Sequence, residues 1–297
     1  MNTSCLRRAA RLLTAVVATA LLASCGGGED SVVHGPAPGR FLVMGDDMLD
    51  VGQKNGYVYT VNDGTPFWVQ VVASNYGLFV QPSGAGGWGF AQGGARISAA
   101  GAAPSVTAQV DEMLARTTLN ATDVVLIGGG MNDIVAAVEA HGVSAEATAA
   151  VEQAGNELAQ QVRRIVAAGA KEVLVVGVPW MGNTPWGRAL NQDGINKLSQ
   201  AFNYAALGDL EGHHMGDTVL VVENALLFNL FYDDPEAYGF TNGRDAVCTT
   251  PVETPCTRET VYAQDYDYWL FADDKHFTPS ALRLYGAQLY NAFNNRW

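Results

Sequence analysis

Asp273-Asp274-Lys275-His276 is one of three strings in this 297-residue chain that gather residue types able to move protons or hold an anion. The others are Gly45-Asp46-Asp47-Met48-Leu49-Asp50 and Gly128-Gly129-Gly130-Met131-Asn132-Asp133. An imidazole has an ordinary pKa suited to general-base work near neutrality, and a carboxylate can act as base or nucleophile. Each string also has a plainer reading. Asn132 and Asp133 are residue types that commonly cap helices, and Asp273 with His276 could form a surface turn. The three-glycine run lacks the Lys-Ser/Thr that completes a P-loop, and no GxGxxG follows the first strand, so nucleotide binding is not indicated. His34, His141, His213 and His214 have no acidic or cysteine partners at ligand spacing. No metal and no cofactor is expected.

The elements that must position these strings are legible as apolar runs. Phe41–Met44, Val124–Ile127, Val173–Val176 and Val219–Val222 are nearly continuous in aliphatic residues, as parallel strands buried on both faces require. Between them, Trp68–Tyr76, Val106–Arg116, Ala145–Ala168 and Leu190–Leu210 carry apolar residues at spacings of three and four. Thr278 as N-cap and Pro279 at the first helical position start a last helix. Strand alternating with helix predicts a doubly wound open α/β sheet, whose sites form beyond the carboxyl ends of the strands. The strings at 45–50 and 128–133 follow the first and second runs directly, and a third strand end reads Val178-Pro179-Trp180-Met181-Gly182.

At these strand ends, from Phe41 to the C-terminus, the sequence resembles the SGNH/GDSL hydrolases. The family's first block, Gly-Asp-Ser-Leu-Ser-Asp-x-Gly, reads Gly45-Asp46-Asp47-Met48-Leu49-Asp50-Val51-Gly52 here. The second is Gly89-Phe90-Ala91-Gln92-Gly93-Gly94-Ala95, with Gly89 where an Asn usually opens the block. The third, Gly-x-Asn-Asp, is Gly130-Met131-Asn132-Asp133, and the fifth, Asp-x-x-His, is Asp273-Asp274-Lys275-His276. Any one string is weak, but four in family order at strand ends are specific. The resemblance implies an α/β protein of three layers, α/β/α, with a flavodoxin-like SGNH hydrolase fold and a mostly parallel central sheet. It implies ester or acyl hydrolysis, with a small-molecule or lipid acyl-ester ligand. It makes His276 the base, Asp273 its orienter, and the backbone N–H of residue 47, Gly94 and the Asn132 side chain the oxyanion donors.

The nucleophile position holds Asp47, and the second serine of the motif is Leu49. A carboxylate attacking an ester would give an adduct whose better leaving group is the carboxylate itself. Its fixed charge would also oppose the developing oxyanion. Two charges about 4 Å apart at an effective dielectric of about 20 interact by about 4 kcal/mol, about three decades of rate. Three readings follow: a non-catalytic binding or structural protein in which Asp47 and His276 form an ion pair, an enzyme using Asp47 as general base or as nucleophile at saturated carbon, and weak ester hydrolysis through a water activated by His276. Trp88, Phe90, Trp180, Trp186, Phe271 and Phe277 lie near the motifs as groove or core residues. Phe277 stands where the family often has Pro.

The chain ends set an expected compartment. Arg7, Arg8 and Arg11 precede the apolar run Leu12–Ala23, too short to span a bilayer and typical of a signal segment. Leu22-Ala23-Ser24-Cys25 resembles the lipobox of bacterial lipoprotein precursors. Residues 1–24 are therefore expected to be a lipoprotein signal peptide, with Cys25 lipidated, residues 25–40 a flexible tether, and residues 41–297 the hydrolase-like domain. Localisation is expected in the bacterial cell envelope, at the membrane through the N-terminal lipid. The chain carries net charge −13, and losing the three arginines with no acid takes it to −16, which argues against nucleic acid. Cys248 and Cys256 remain, close together in a Thr/Pro-rich loop, and an oxidising envelope favours a disulfide between them. Nothing in the sequence sets an oligomeric state.

Overall fold

The computed structural model describes residues 36–297 except 213, 214, 223 and 251–253. The signal-type segment, Cys25, His34, the tether up to residue 35, and His213-His214 lie outside the described residues. In chain order the elements are β1 (Arg40–Met44), β2 (Val61–Asn62), α1 (Trp68–Ser74), α2 (Val106–Arg116), β3 (Asp123–Gly128), α3 (Met131–His141), α4 (Ala145–Ala167), β4 (Glu172–Val176), α5 (Pro185–Leu190), α6 (Gln192–Gly212), β5 (Val219–Val222), α7 (Asn224–Asp233), β6 (Asn242–Ala246), β7 (Cys256–Thr257), β8 (Trp269–Phe271) and α8 (Pro279–Arg296).

The four apolar runs form one parallel sheet in the order β1-β3-β4-β5, with Val43 opposite Leu126 and Ile127 opposite Val175. Every residue of β3 is buried, as a central parallel strand covered by helices on both faces must be. Its one charge, Asp123, is fully buried and accepts from Arg40 Nε at 2.6 Å and Nη2 at 2.8 Å. Beyond β1, the segment Trp88–Phe90 supplies a minimal fifth strand. Val43 N–H donates to the Trp88 carbonyl at 3.0 Å, and Phe90 N–H donates to the Val43 carbonyl at 2.7 Å.

The chain therefore runs from β1 outward to residues 88–90, then back across to β3, β4 and β5. The reversal lies between β1 and β3, the crevice where doubly wound sheets place their sites. Right-handed crossovers put the helices of the two directions on opposite faces. α4 accordingly packs on α2, α3 and α6, while α1 packs on α8, where Trp68 and Tyr285 meet edge to face at 4.8 Å. This is the mixed α/β architecture with a parallel central sheet that the motif order implies.

Ser105, Ser144, Thr184 and Thr278 each cap a helix by accepting a backbone N–H three residues on. The helix expected over 190–210 begins two residues later, because Asn191 has left helical dihedrals (φ −157°, ψ 87°) between α5 and α6. Two short parallel ladders, β2–β7 and β6–β8, lie outside the main sheet. Around them a satellite cluster of Val61, Val247, Cys256, Val261, Tyr266 and Ala272 is buried apart from the main core. Cys248 and Cys256 are joined there by a disulfide.

Candidate active site

The turn after β1 is fixed by side-chain hydrogen bonds to α2, to α3 and to the Gly93-Gly94 loop. Gln109 of α2, fully buried, accepts from Gly45 N–H at 2.7 Å and returns its amide to the Gly45 carbonyl at 3.0 Å. A side chain at position 45 would collide with Leu49 and press on the Gly128 carbonyl, so the turn needs glycine. Asp46 accepts from Met48 N–H at 3.3 Å and from Met131 N–H at 3.2 Å, tying the turn to the first residue of α3. Asp50 accepts from Gly52, Gln53 and Gly93 N–H, each at 2.8 Å, and so holds the Gly93-Gly94 loop beside the turn.

Asp47, between these two structural carboxylates, faces the site. Its Oδ2 accepts from Gly94 N–H at 3.2 Å and from the Asn132 amide in a short hydrogen bond. Its Oδ1 lies 3.3 Å from His276 Nε2. The opposite ring nitrogen, Nδ1, lies 2.9 and 2.8 Å from the two oxygens of Asp273, which also accepts from His276 N–H at 2.7 Å. Asp47, His276, Asp273, Gly94 and Asn132 thus converge at the crevice between β1 and β3. The sequence-adjacent acids Asp46 and Asp50 turn away into backbone hydrogen bonds.

Asn132 caps no helix: it donates to Asp47 and to the Ala95 carbonyl at 3.2 Å, while Gly130 starts α3 with φ 116°. A Cβ at Gly130 would strike the Phe202 ring. Asp133 accepts from Ile97 N–H at 3.0 Å, with Arg96 at 3.7 Å. His276 is buried, not on a surface turn. Of the six aromatic residues near the motifs, Phe90, Phe271 and Phe277 are core, and Phe277 stacks on Phe228 with ring centroids 3.7 Å apart. Trp88 is held between Arg40 and Arg116, whose guanidinium carbons lie 4.6 and 4.5 Å from its ring. Tyr59, a residue with no sequence signal, does reach the site: its ring packs on His276 at 5.1 Å and lies against Gly93.

Charge follows from this packing. Burial works against a His276 cation, but the charge and hydrogen bond of Asp273, joined by those of Asp47, push the imidazole up to about 10. Burial would raise Asp47, yet its hydrogen bond to His276, the His276 charge, Asn132 and Gly94 together hold it below the ordinary carboxylate range. Asp273 is held low against burial by the His276 charge and hydrogen bond. Asp46 goes the other way: burial first, then the charge of Asp47, push it up to about 7. Near neutral pH the centre is a carboxylate–imidazolium–carboxylate array. No group of three or more His, Cys, Asp or Glu residues suited to a metal occurs among the described residues, and no helix among them is long and apolar enough to cross a membrane.

The family profile of GDSL-like lipases/acylhydrolases matches residues 41–289, from the first residues of β1 into α8. The chain belongs to this family. A GDSL esterase/lipase of Arabidopsis thaliana is 30% identical over 149 residues, covering 46% of this chain and 40% of the plant protein. The chain therefore spans well under two thirds of that relative's length. Among solved structures, a lipolytic protein of the G-D-S-L family from Veillonella parvula aligns over 84% of this chain and 96% of its own, at 12% identity and TM-score 0.48. A phospholipase A1 from Streptomyces albidoflavus aligns over 88% and 100%, at 15% identity and TM-score 0.47. The family match over residues 41–289 identifies a GDSL esterase/lipase scaffold.

Proposed function

We propose that this chain is a GDSL-scaffold envelope lipoprotein whose conventional serine-type ester hydrolysis has been switched off by Asp47. One observation carries the reading: Asp47 Oδ2 accepts from Gly94 N–H and from the Asn132 amide, the two donors expected to hold an ester's oxyanion. The protein's own negative charge occupies the position of the substrate's developing one. Its partner oxygen fixes His276 as imidazolium, so the base that should accept a hydroxyl proton is already protonated. The surrounding parts are retained, including the Asp273–His276 pair and the buried hydrogen bonds around Gly45, Asp46 and Asp50.

Restoring the hydroxyl tests this directly. In the full chain, Asp47→Ser is expected to hydrolyse p-nitrophenyl acetate and butyrate at least about a thousandfold faster than the natural protein, the scale set by removing a charge from beside the oxyanion. The gain should vanish with His276→Ala in the same background. An Asp47→Ser protein that folds but stays inactive on both esters would mean the remaining groups are not poised for acyl transfer. Lipid anchoring rests on the Leu22-Ala23-Ser24-Cys25 string. Labelled palmitate is expected to enter the natural chain in a bacterial host, and Cys25→Ser to abolish both labelling and membrane fractionation.

A further inference from the structure

The two oxygens of Asp47 face different chemistry. Oδ2 is held by the two donors suited to an oxyanion, Gly94 N–H and the Asn132 amide, while Oδ1 is free of backbone and amide donors and faces His276 Nε2 at 3.3 Å. The division is what a covalent cycle through an aspartyl ester requires: one oxygen to carry an alkyl group, the other to become the oxyanion when that ester is hydrolysed, and a base beside the first. Acyl carbons are unsuitable partners, since the aspartate would be expelled again. A saturated carbon is suitable, because its leaving group departs irreversibly.

We propose that Asp47 is a nucleophile toward small alkyl halides, making this site a hydrolytic dehalogenase. In the first step Asp47 Oδ1 forms a bond to the halogen-bearing carbon, and the carbon–halogen bond breaks with its electron pair leaving as halide. Alkylation discharges Asp47 and removes one of the two carboxylates that hold the proton on His276. Before the second step His276 gives its proton to solvent; it then takes a proton from water, whose oxygen adds to Asp47 Cγ. The charge that develops on Oδ2 lies against Gly94 N–H and Asn132. The Cγ–Oδ1 bond then breaks, His276 returns its proton to the departing alcohol oxygen, and the proton of the new carboxylic acid passes to His276, restoring the carboxylate–imidazolium pair. The balance is alkyl halide plus water giving alcohol, halide and one proton. Asp47 and His276 are both buried and Tyr59 packs against the imidazole, so short, unbranched alkyl halides are the ones to test.

The natural chain, not the serine variant, is the one to assay, so this proposal and the loss of ester hydrolysis stand or fall separately. The full chain is incubated with bromoethane or 1-bromopropane, and bromide is measured by ion chromatography. Bromide release is expected to exceed that of Asp47→Asn by at least about a hundredfold. In a single turnover in ¹⁸O-water, the heavy oxygen is expected in the Asp47 peptide and not in the alcohol, because the alcohol oxygen comes from Oδ1. His276→Gln is expected to accumulate the alkyl ester on Asp47, seen as the mass of one alkyl group in that peptide; should this variant not fold, the isotope result in the natural chain decides alone. Bromide release no greater than that of Asp47→Asn would overturn the proposal, and so would ¹⁸O found in the alcohol with none on Asp47.

Discussion

His276 has both ring nitrogens committed to carboxylates inside a buried site, and that fixes how the protein should respond to pH. Its pKa near 10 lies above the ordinary imidazole value. Its contribution to stability is therefore complete below about pH 6.5 and is lost as pH rises from there through about 10. Asp47 and Asp273 are depressed, so theirs is present above the ordinary carboxylate range and lost as pH falls through the depressed values. Asp46, raised to about 7 by burial and then by the Asp47 charge, contributes stability that is complete below the ordinary carboxylate range and is lost as pH rises from there through about 7. A proton NMR titration of the His276 ring should show a midpoint near 10 in the natural protein and a clearly lower one in Asp47→Asn, which keeps the shape and removes the charge. A natural-protein midpoint at the ordinary imidazole value would show that the two ion pairs do not form. The residues that converge with Asp47 were legible as candidates in the sequence because each sits in a short motif string, whereas Tyr59, which packs on His276, carried no signal. Where the Asp47 carboxylate points was not legible. That depends on Gly94 being held in place by Asp50, and on Asn132 being freed from capping by Gly130.

At the scale of elements, the site is a turn pinned between β1 and α2 by one side chain. Gln109 satisfies both backbone groups of Gly45 and also donates to the Pro104 carbonyl. Replacing it with leucine keeps the volume, strands the buried Gly45 N–H and takes a donor from the Pro104 carbonyl, while the Gly45 carbonyl keeps the Gln92 N–H at 3.1 Å. A buried unsatisfied group costs about 1–3 kcal/mol, so Gln109→Leu should destabilise by about that much and lower Tm by roughly 2–4 °C per kcal/mol, read by thermal unfolding. A change of less than about 1 °C would show that water or a rearranged turn satisfies these groups. The strands themselves were legible because β1, β3, β4 and β5 are buried on both faces and their sequences show it as unbroken aliphatic runs. Gln109 was not, because its partner lies 64 residues away and nothing local distinguishes it from any polar residue on α2. The β2–β7 and β6–β8 ladders escaped for a related reason: pairings of two to five residues leave no periodicity to read.

At the scale of the molecule, the disulfide belongs to the satellite cluster and not to the main core, yet the cluster holds both walls of the site. Cys248 N–H donates to the Ala272 carbonyl at 2.7 Å, one residue before Asp273. Asn62 donates to the Cys256 carbonyl at 3.1 Å, and Thr60 Oγ1, next after Tyr59, donates at 2.7 Å to the carbonyl of Phe277, next after His276. A cross-link closing so short a loop removes about 2–3 kcal/mol of unfolded-state freedom. Because the β1-β3-β4-β5 sheet is packed independently of this cluster, the loss on reduction should be local. Hydrogen exchange of the Cys248, Thr257 and Tyr262 amides is expected to accelerate at least about tenfold on reduction, while Val125, Leu126 and Val175 keep their protection. Were the central strands to lose protection in parallel, the cluster would be an integral part of the cooperative unit. The site geometry would then depend on the oxidation state of Cys248 and Cys256 through global stability, not through the local bonds to Ala272 and Asn62.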